Sequence, residues 1–584
     1  LHHARTQLHR FLGQGGGFTS STTAYSYATG QTLLPHILGT TEVLLGRVTD
    51  WAAIARHARL MLCFGGLAAK NGIVNSGGMG RHDYLPLMRA AAAAGVRLVN
   101  ISPFRGDTEA DLDAEWVPIR PGTDAAMMLA MAHALIENGR EDRAFLRTHC
   151  VGWDKLRAYV TGDADGVAKT PDWAAAITRV PPETIRRLAL ECADKPTMLT
   201  AAWSLQRADY GEQPYWMLAA LAAMLGNIGK PGQGVAYGYG STNGVGAPRR
   251  ALPAVSGPSI RNPGLHIPVA RITELLERPG EVLQYNGRDI VLPDIRIVWW
   301  AGGNPFHHHQ DLPRLQRAWA RAETVVVQEP WWTAVARHAD IVLPATTTLE
   351  RNDIASSSRD RFVRAMHQAI PPIAQARNDA DMLADVAEEL GYRERFTEQR
   401  NEEAWLRHLY DRWRRVCATQ GFEAPDFDAF WQEGHVEVPP IEPGEEYTQF
   451  AEFHADPEER PLDTPSGKVE IFSETIASFG YDDCPGHPVW IEPREWLGAA
   501  EKAAVYPLHL LSFQPATRLH GQLDPGRVAA ADKIKGREPV LMHPEDAAAR
   551  GLRDGDVVRV FNARGACLGG VRLADGLLRG VVSM

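Results

Sequence analysis

Cysteine is scarce in this sequence, and no two cysteines stand at a metal-binding spacing. The 584 residues contain six of them, at positions 63, 150, 192, 417, 484 and 567. A zinc ribbon or a locally ligated iron–sulfur cluster needs pairs of cysteines about two to four residues apart, and no C-x-x-C pair occurs. We therefore expect neither a structural zinc site nor an iron–sulfur cluster in these residues.

Long apolar runs and blocks of basic residues are missing as well. The most apolar stretch, MLAALAAMLGNIG, is short and is interrupted by Gly226, whereas a membrane helix needs about 18 apolar residues. The formal net charge is −10 without Lys/Arg clusters, which disfavours a surface that tracks nucleic-acid phosphates. The 45% hydrophobic and 23% charged residues are typical of a globular protein, and the length predicts several domains. We expect no membrane span and no nucleic-acid partner.

Motifs for simple nucleotide binding are also absent. GNIGKPG lacks the Ser or Thr that follows the lysine of a P-loop, and no G-x-G-x-x-G joins a strand to a helix, so simple ATP or NAD binding is disfavoured. FHHHQD, residues 306–311, offers adjacent histidines, but they point in different directions and no carboxylate is spaced to complete a zinc site. Polar contacts to a ligand at a strand end are the favoured interpretation, and a zinc site is the alternative.

Six short apolar runs, each followed by a glycine or proline turn, indicate a layered α/β protein. They cover residues 59–66, 96–103, 197–203, 295–303, 324–329 and 339–345, with helical patterns between several of them. Bounded runs of this length are typical of buried parallel strands. Ligands of such sheets bind beyond the carboxyl ends of the strands. We therefore expect five polar segments to lie together there: ISPFR, WSLQR, GGNPF, QEPWW and LPATTTLERND.

The sequence pattern predicts three domains. Residues 1–380 carry the α/β pattern, and residues 381–504 are richer in acidic residues, Trp and Pro, which indicates a mixed α+β lobe and connection. From Val505 onward, short strands alternate with turns at ARG and DG. This last pattern predicts a small β-barrel over residues 505–584.

Two hydroxyl-rich segments allow both a structural and a chemical interpretation. The first segment, GGFTSSTTAYSYATGQ, starts at Gly16. Its Gly, Ser and Thr residues are ordinary in turns and caps, but one of the hydroxyls could also take part in a reaction. In LPATTTLERND, the threonines either cap a helix or mark free backbone N–H groups that would bind a phosphate. These residues alone leave both interpretations open.

A resemblance to one family rests on ten segments taken in chain order. They are GGF with AYSYATGQ, LPHILGT, RPGTDAAMMLAMAH, WSLQRADYGEQ, WWAGGNPFHHHQD, RHADIVLPATTTLERNDI, SGKVEIFS, YDDCPGHP, RLHGQL and MHPEDAAARGLRDGDVVRV. Together they resemble the dimethyl sulfoxide reductase family of molybdopterin oxidoreductases, in particular its biotin sulfoxide, trimethylamine N-oxide and dimethyl sulfoxide reductase branch. The resemblance implies a multi-domain α/β fold with parallel sheets around the cofactor and an incomplete C-terminal β-barrel that binds molybdopterin dinucleotide.

The resemblance also implies a cofactor and the residues that hold it. The cofactor is molybdenum bis(molybdopterin guanine dinucleotide), in which two pterins hold the metal. Aligned through GGF, Ser26 takes the place of the family's catalytic serine ligand, and an oxygen donor suits a hard, high-valent metal ion. The implied cofactor-binding residues are Lys70 between the pterins and, on other loops, Ser102, Arg105, Thr123, Asp124, Leu205, Gln206, Asn304, His308, Gln328, Asp379, Arg518, His520 and Gln522.

The implied activity is the reduction of an S-oxide or N-oxide such as biotin sulfoxide, methionine sulfoxide, dimethyl sulfoxide or trimethylamine N-oxide. The oxygen atom leaves the substrate and is released as water with two electrons and two protons. One alternative is a dehydrogenase or hydroxylase of the same superfamily, although Ser26 disfavours the relatives that use Cys, selenocysteine or Asp at the metal. The other alternative is a scaffold homologue that has lost catalysis.

Departures from the family pattern leave the substrate open. Ser102 stands where the family usually has Asp, Gln514 with Pro515 replaces a His-Pro pair, and T-A-Y replaces G-D-Y before Ser26. After ERNDI, the segment ASSSRDRF replaces the family's G-D-Y-S-N element. In the family these positions lie near the mouth of the active site, so which oxide is reduced is not defined by the resemblance.

The resemblance finally implies a bacterial protein and an external electron donor, which is either a protein or a reduced nicotinamide system. LHHARTQL and GVVSM resemble internal segments of the family, so we expect further residues before Leu1 and after Met584. We expect a cytoplasmic location, with the periplasm as the alternative.

Overall fold

The computed structural model describes residues 4–75, 78–250, 252–442, 444–521 and 524–584. They form two compact units, each assembled from separate segments of the chain. Unit 1 draws on residues 1–24, 75–81 and 249–440, and unit 2 draws on residues 25–74, 82–248 and 441–584. Because these units are defined by packing, the predicted division of the sequence at residues 380 and 504 stays a prediction.

A five-stranded parallel sheet forms the centre of unit 2. Its strands, in spatial order, are Glu115–Val117, Arg97–Ile101, Leu60–Phe64, Thr197–Ala201 and Gly234–Tyr237. Every residue of the Leu60–Phe64 and Thr197–Ala201 strands is buried, as their continuous apolar runs predict. The sheet confirms the predicted α/β fold class.

The helices of unit 2 cover this sheet and extend beyond it. Helices Asp124–Glu137 and Glu212–Met224 contact each other and are buried on nearly every face, which explains why both are apolar all round. The remaining helices are Ala28–Leu38, Glu42–Leu45, Trp51–His57, Tyr84–Ala93, Arg143–His149, Trp153–Thr161, Pro171–Thr178, Pro182–Asp194, Ala451–Ala455, Glu474–Ser478, Ala500–Val505, Arg527–Asp532 and Pro544–Ala548.

The C-terminal part of unit 2 is a separate mixed sheet of five strands. Their spatial order is His509–Leu511, Val581–Ser583, Pro539–Met542, Gly565–Leu573 and Val557–Asn562. The predicted turn at ARG joins the last two strands in an antiparallel pair. This sheet forms half of a barrel and confirms the predicted C-terminal β structure. A short parallel pair, Cys150–Val151 with Val469–Glu470, completes the strands of this unit.

Unit 1 contains smaller sheets. A parallel sheet has the order Ile297–Ala301, Thr324–Gln328 and Ile341–Leu343, and an antiparallel sheet has the order Asp353–Ala355, Phe362–Met366 and His435–Glu437. Two further pairs are Val282–Tyr285 with Arg288–Val291, and Ser20–Thr22 with His266–Pro268. The helices are Ala4–Gly15, Ile272–Glu277, Pro305–His308, Leu312–Trp319, Asp379–Glu389, Arg393–Thr397, Glu402–Thr419 and Phe427–Glu433.

The six predicted strands belong to two sheets and not to one, and the expectation that the five polar segments lie together stays a prediction. All six predicted strands exist, but three belong to the large sheet of unit 2 and three to the parallel sheet of unit 1. The described residues between 249 and 296 form loops, the short strand His266–Pro268, a hairpin and one short helix instead of a single crossover helix that would return the chain to the first sheet. The segments ISPFR and WSLQR therefore follow strands of the unit 2 sheet, and the segments GGNPF, QEPWW and LPATTTLERND follow strands of the unit 1 sheet.

The helix Ala4–Gly15 shows how unit 1 unites distant segments. It packs against helices Asp379–Glu389 and Arg393–Thr397. The Arg10 side chain on this helix is 2% exposed and forms an ion pair with Glu398 at 2.6 Å, although 388 positions separate the two residues. Aromatic contacts with the Arg10 guanidinium offset part of the cost of burying this charge.

No helix in the described part of the chain combines the length and the apolar character needed to cross a membrane.

Candidate functional site

Ser26 lies on a short turn of unit 2 that leads into the helix Ala28–Leu38. Its side chain is half-buried, and its hydroxyl makes no hydrogen bond to any described residue. The backbone around it is fixed by two contacts: Gln206 Nε2 donates to the Ser26 carbonyl oxygen at 2.7 Å, and the Tyr27 ring packs edge-on against Trp203. Ser26 therefore presents an unpartnered hydroxyl from a constrained backbone.

Gln206 follows the buried strand Thr197–Ala201, on a 3-10 turn that begins at Trp203. Only 3% of its surface is exposed, and its amide oxygen accepts a hydrogen bond from the Gly30 N–H at 2.9 Å. Both the nitrogen and the oxygen of the Gln206 amide therefore form hydrogen bonds with the backbone near Ser26. Leu205 is partly buried against the core of the unit. Cofactor contacts by Gln206 and Leu205 stay predictions.

Lys70 is a largely buried cation beside a carboxylate. Its Nζ lies 4.3 Å from the centre of the Phe513 ring, and it forms no ion pair or hydrogen bond with any described side chain. Burial lowers the pKa of Lys70, while the negative charge of Asp107 acts in the opposite direction. Burial also raises the pKa of Asp107 to about 6, against the effects of Lys70 and Ser102. The sequence analysis missed Asp107 and Phe513.

Ser102 and Arg105 occupy the loop after the strand Arg97–Ile101. Ser102 is 1% exposed, and its hydroxyl donates to the Phe104 carbonyl at 2.7 Å, close to the Asp107 carboxylate. Arg105 is exposed and lies over the Trp116 ring at 4.9 Å. Ser102 therefore stabilises the loop, whereas the Arg105 guanidinium is open to an anionic group.

Thr123 and Asp124 begin the helix Asp124–Glu137. The Thr123 hydroxyl donates to the Arg120 carbonyl at 2.7 Å, so it closes the turn before the helix. Asp124 is 4% exposed, and its Oδ1 atom is buried without a hydrogen-bond partner. Burial raises the pKa of Asp124 to about 7. A buried acceptor without a donor is costly, and a ligand that donates a hydrogen bond would relieve that cost.

The Asp124 carboxyl makes the stability of the cofactor-free protein depend on pH. Its folded pKa of about 7 lies above the ordinary value of 3.8, so the folded state binds the proton more tightly than the unfolded state does. Stability should fall as the pH rises from about 4 to 7, and Asp124→Asn should remove this loss. Urea unfolding at pH 5 and pH 8 measures this loss: the stability of the variant relative to the wild type should be clearly greater at pH 8 than at pH 5. An equal difference at both pH values would contradict this assignment.

Gln328 and Asp379 meet in unit 1 at the end of the parallel strand Thr324–Gln328. Gln328 Nε2 donates to Asp379 Oδ1 at 2.8 Å, and the two residues are 2% and 1% exposed. Arg351 Nη1 lies 3.5 Å from Asp379 Oδ2. Burial raises the pKa of Asp379, against the effects of Arg351 and Gln328. Sequence reasoning missed Arg351, although it stands in the charged segment LERND.

The FHHHQD segment lies in the same unit. Asn304 precedes the helix Pro305–His308, and its Oδ1 atom is buried without a partner. His308 is exposed, whereas His309 is buried with its Nε2 atom 2.8 Å from Thr273 Oγ1. Among the described residues, no group of three or more His, Cys, Asp or Glu side chains could hold a metal ion. The zinc alternative for FHHHQD therefore has no ligand set in this part of the chain.

The RLHGQL segment lies in the C-terminal part of unit 2. The Arg518 side chain is 9% exposed and pairs with Asp524 at 3.4 Å and with Glu538 at 3.1 Å. Lys533 contacts the same two carboxylates, so the local charges balance. His520 is exposed on a left-handed backbone, and the predicted residue Gln522 lies outside the described residues.

Two family models match the chain. The model described as molybdopterin oxidoreductase matches residues 81–389, and the model described as molydopterin dinucleotide binding domain matches residues 508–584. The second range coincides with the C-terminal strands, and the first includes strands of both parallel sheets.

Three curated relatives are similar over the whole chain. The chain is 45% identical to the biotin sulfoxide reductase of Cereibacter sphaeroides, with 100% of the chain and 78% of that protein covered. It is 41% identical to the dimethyl sulfoxide/trimethylamine N-oxide reductase of the same organism and 39% identical to the trimethylamine-N-oxide reductase of Haemophilus influenzae, each with 100% of the chain and 72% of the relative covered.

One solved structure supports the fold. The acetylene hydratase of Pelobacter acetylenicus superposes with a TM-score of 0.67 at 20% sequence identity, and the match covers 99% of the chain and 76% of that structure. At this identity the likeness concerns the fold alone.

Proposed function

Because this chain belongs to the molybdopterin oxidoreductase family, we propose that it is a molybdenum-dependent reductase that takes an oxygen atom from an S-oxide or N-oxide. The observation that carries this function is the similarity, from 39% to 45% identity across the whole chain, to relatives named for biotin sulfoxide, dimethyl sulfoxide and trimethylamine N-oxide. The substrate class is therefore a small oxide, and biotin sulfoxide is the first candidate to test.

The residues of unit 2 fit a molybdopterin dinucleotide. Lys70 and Arg105 are cations without a paired carboxylate at hydrogen-bond distance, which suits an anionic cofactor. The orphaned Asp124 Oδ1 atom suits an N–H donor such as a guanine ring provides. The finer assignment, two guanine dinucleotides around one molybdenum, is part of this proposal. When bound, the cofactor supplies the two-electron chemistry at its metal.

Ser26 is proposed as the protein's oxygen donor to the metal. Its unpartnered hydroxyl and constrained backbone support this role, since a ligand must be held close to its productive geometry. The metal's positive charge would favour the deprotonated hydroxyl. The other predicted contacts, at Asn304, His308, Gln328 and Asp379 in unit 1 and at Arg518 and His520 in unit 2, remain part of the proposal.

Turnover and metal analysis test the function together. The complete gene product that contains residues 1–584 is produced in a host that makes the guanine dinucleotide cofactor, and reduction of each oxide is followed with reduced viologen. Stoichiometric molybdenum with turnover of at least one oxide is the expected result. Molybdenum without any oxide turnover would favour another activity of the superfamily, and a folded protein without molybdenum or pterin would favour a scaffold.

Electrons are proposed to reach this part of the protein from an external donor. The scattered cysteines offer no cluster ligands in sequence, so iron and acid-labile sulfide bound within residues 1–584 should be below stoichiometric levels. Chemical analysis and electron paramagnetic resonance of the purified chain measure this. One cluster per chain would overturn the expectation. The cytoplasmic location also remains a proposal, which cell fractionation with compartment markers tests.

A further inference from the structure

We propose that Gln206 is a positioning residue, which fixes Ser26 by holding the backbone on both sides of its turn. This inference rests on the proposed role of Ser26 as the metal ligand. In this role the Gln206 side chain holds the protein backbone and does not contact the cofactor directly.

The first support is the geometry of the Gln206 amide. Its nitrogen donates to the Ser26 carbonyl at 2.7 Å, and its oxygen accepts from the Gly30 N–H at 2.9 Å. The two backbone groups stand four positions apart, before and within the first turn of the helix Ala28–Leu38. A single planar group therefore sets the distance between the Ser26 carbonyl and the start of this helix.

The second support is the weak capping of this helix. The first N–H groups of a helix lack partners inside it and usually receive them from an N-cap side chain. Here the N-cap residue is Tyr27, whose side chain makes no capping hydrogen bond. Gln206 supplies an acceptor to Gly30 from a distant segment, so the start of the helix depends on it.

The third support is the rigidity of the surroundings. A Cβ atom on Gly30 would lie 2.8 Å from Leu44 Cδ2 and 3.2 Å from Tyr215 Cε1, so a larger residue would force the Leu44 side chain to shift and the helix start packs closely on the core. On the other side, Tyr215 donates its hydroxyl hydrogen to the Ala202 carbonyl, next to the turn that carries Gln206. Gln206 thus connects two segments that are each held by the core.

The consequence is that the backbone from which the Ser26 side chain extends is held in one position. Without the Gln206 donor, the Ser26 carbonyl loses its only described hydrogen bond and the turn can rotate. A displacement of about 1 Å at a reacting group can cost about 100-fold in rate. Loss of Gln206 should therefore change the bond between Ser26 and the metal without removing either partner.

Gln213 provides a matched control within the same unit. It is also a buried glutamine, 2% exposed, and it also bridges two backbone groups: its nitrogen donates to the Asp483 carbonyl at 3.1 Å, and its oxygen accepts from the Val489 N–H at 2.9 Å. Gln213→Leu removes the same two bonds elsewhere and reports the general cost of such a loss.

The experiment compares Gln206→Leu, Gln206→Glu, Gln213→Leu and Ser26→Ala in the cofactor-loaded full chain. Molybdenum-edge X-ray absorption measures the number and distance of oxygen donors, and amide hydrogen exchange measures protection of residues 26–31. The Gln206 variants should lower kcat about 10- to 100-fold, change the oxygen-donor distances and speed exchange at residues 26–31. Gln213→Leu should change neither the absorption spectrum nor exchange at residues 26–31.

The outcomes separate the two proposals. If Ser26→Ala leaves the spectrum and turnover unchanged, the assignment of Ser26 fails. If Ser26→Ala changes both but the Gln206 variants only lower the melting temperature, as Gln213→Leu does, the positioning role is overturned. Gln206→Glu is nearly isosteric and keeps the acceptor for Gly30, so it tests the donor to Ser26 even if Gln206→Leu does not fold.

Discussion

Replacing Ser26 by alanine should lower oxide reduction at least about 100-fold while leaving the fold and the pterin content largely intact. Loss of a group that merely supports a metal ligand already costs about 10- to 100-fold, so loss of the ligand itself should cost no less. The hydroxyl is small and half-buried, and its removal opens no large cavity. Turnover with reduced viologen, molybdenum content and thermal unfolding of the same preparation give the three readouts.

Ser21→Ala serves as the control for this change. Ser21 belongs to the same hydroxyl-rich stretch, is exposed, and lies on the short strand Ser20–Thr22 of unit 1. The control should retain turnover within about twofold, because surface substitutions are usually close to neutral. Wild-type turnover in Ser26→Ala would refute the assignment, and an equal loss in both variants would assign the effect to the stretch as a whole.

Replacing Arg351 by methionine should destabilise the chain by about 3 to 5 kcal/mol, since it leaves the Asp379 carboxylate buried without its cation. The loss should depend on pH. Arg351 holds the pKa of Asp379 down against the effect of burial, so its removal raises the folded pKa further above the unfolded value. The destabilisation should then be small near pH 4 and should grow as the pH rises. Urea unfolding at several pH values measures it.

Arg296→Met is the matched control in the same unit. Arg296 pairs with Glu323 at 2.7 Å, but both side chains are exposed, at 68% and 57%. An exposed pair adds little to stability because water screens it, and its removal leaves no buried charge. Similar losses in the two variants, or a loss in Arg351→Met that does not change with pH, would contradict the buried ion pair.

Local sequence pattern predicts the strands of this fold but not their assembly. The runs LMLCF, TMLTA and TVVVQ form buried parallel strands. A continuous apolar run of about five residues is stable in few other environments than a strand buried on both faces. Their division into two sheets depends on how residues 249–296 return the chain, and that segment has no periodic signal. The expectation that the five polar segments lie together stays a prediction.

In the candidate site, too, some residues can be predicted from the sequence, whereas their partners are brought to them only by the fold. Ser26 could be singled out among several hydroxyl residues only through the family resemblance. Its clamp by Gln206 joins residues 180 positions apart, and the ion pair of Asp379 with Arg351 joins a helix to a loop. Neither residue type nor spacing marks such partners. Asp107 would have been easier to predict, because it stands two positions after the polar strand end ISPFR.

The burial of Arg10 against Glu398 sets an order of events during synthesis. The ribosome makes the helix Ala4–Gly15 before Glu398, the partner of Arg10, which follows 388 residues later. At about 5 to 20 residues per second, that interval lasts roughly 20 to 80 s. Until residues 299–301, 379–389 and 393–397 have been made, the apolar face with Leu8 and Phe11 lacks the surfaces that cover it in the folded unit. We therefore expect the nascent chain to expose this apolar face, and to benefit from a holding chaperone, for longer than a chain whose helices pack on their nearest neighbours.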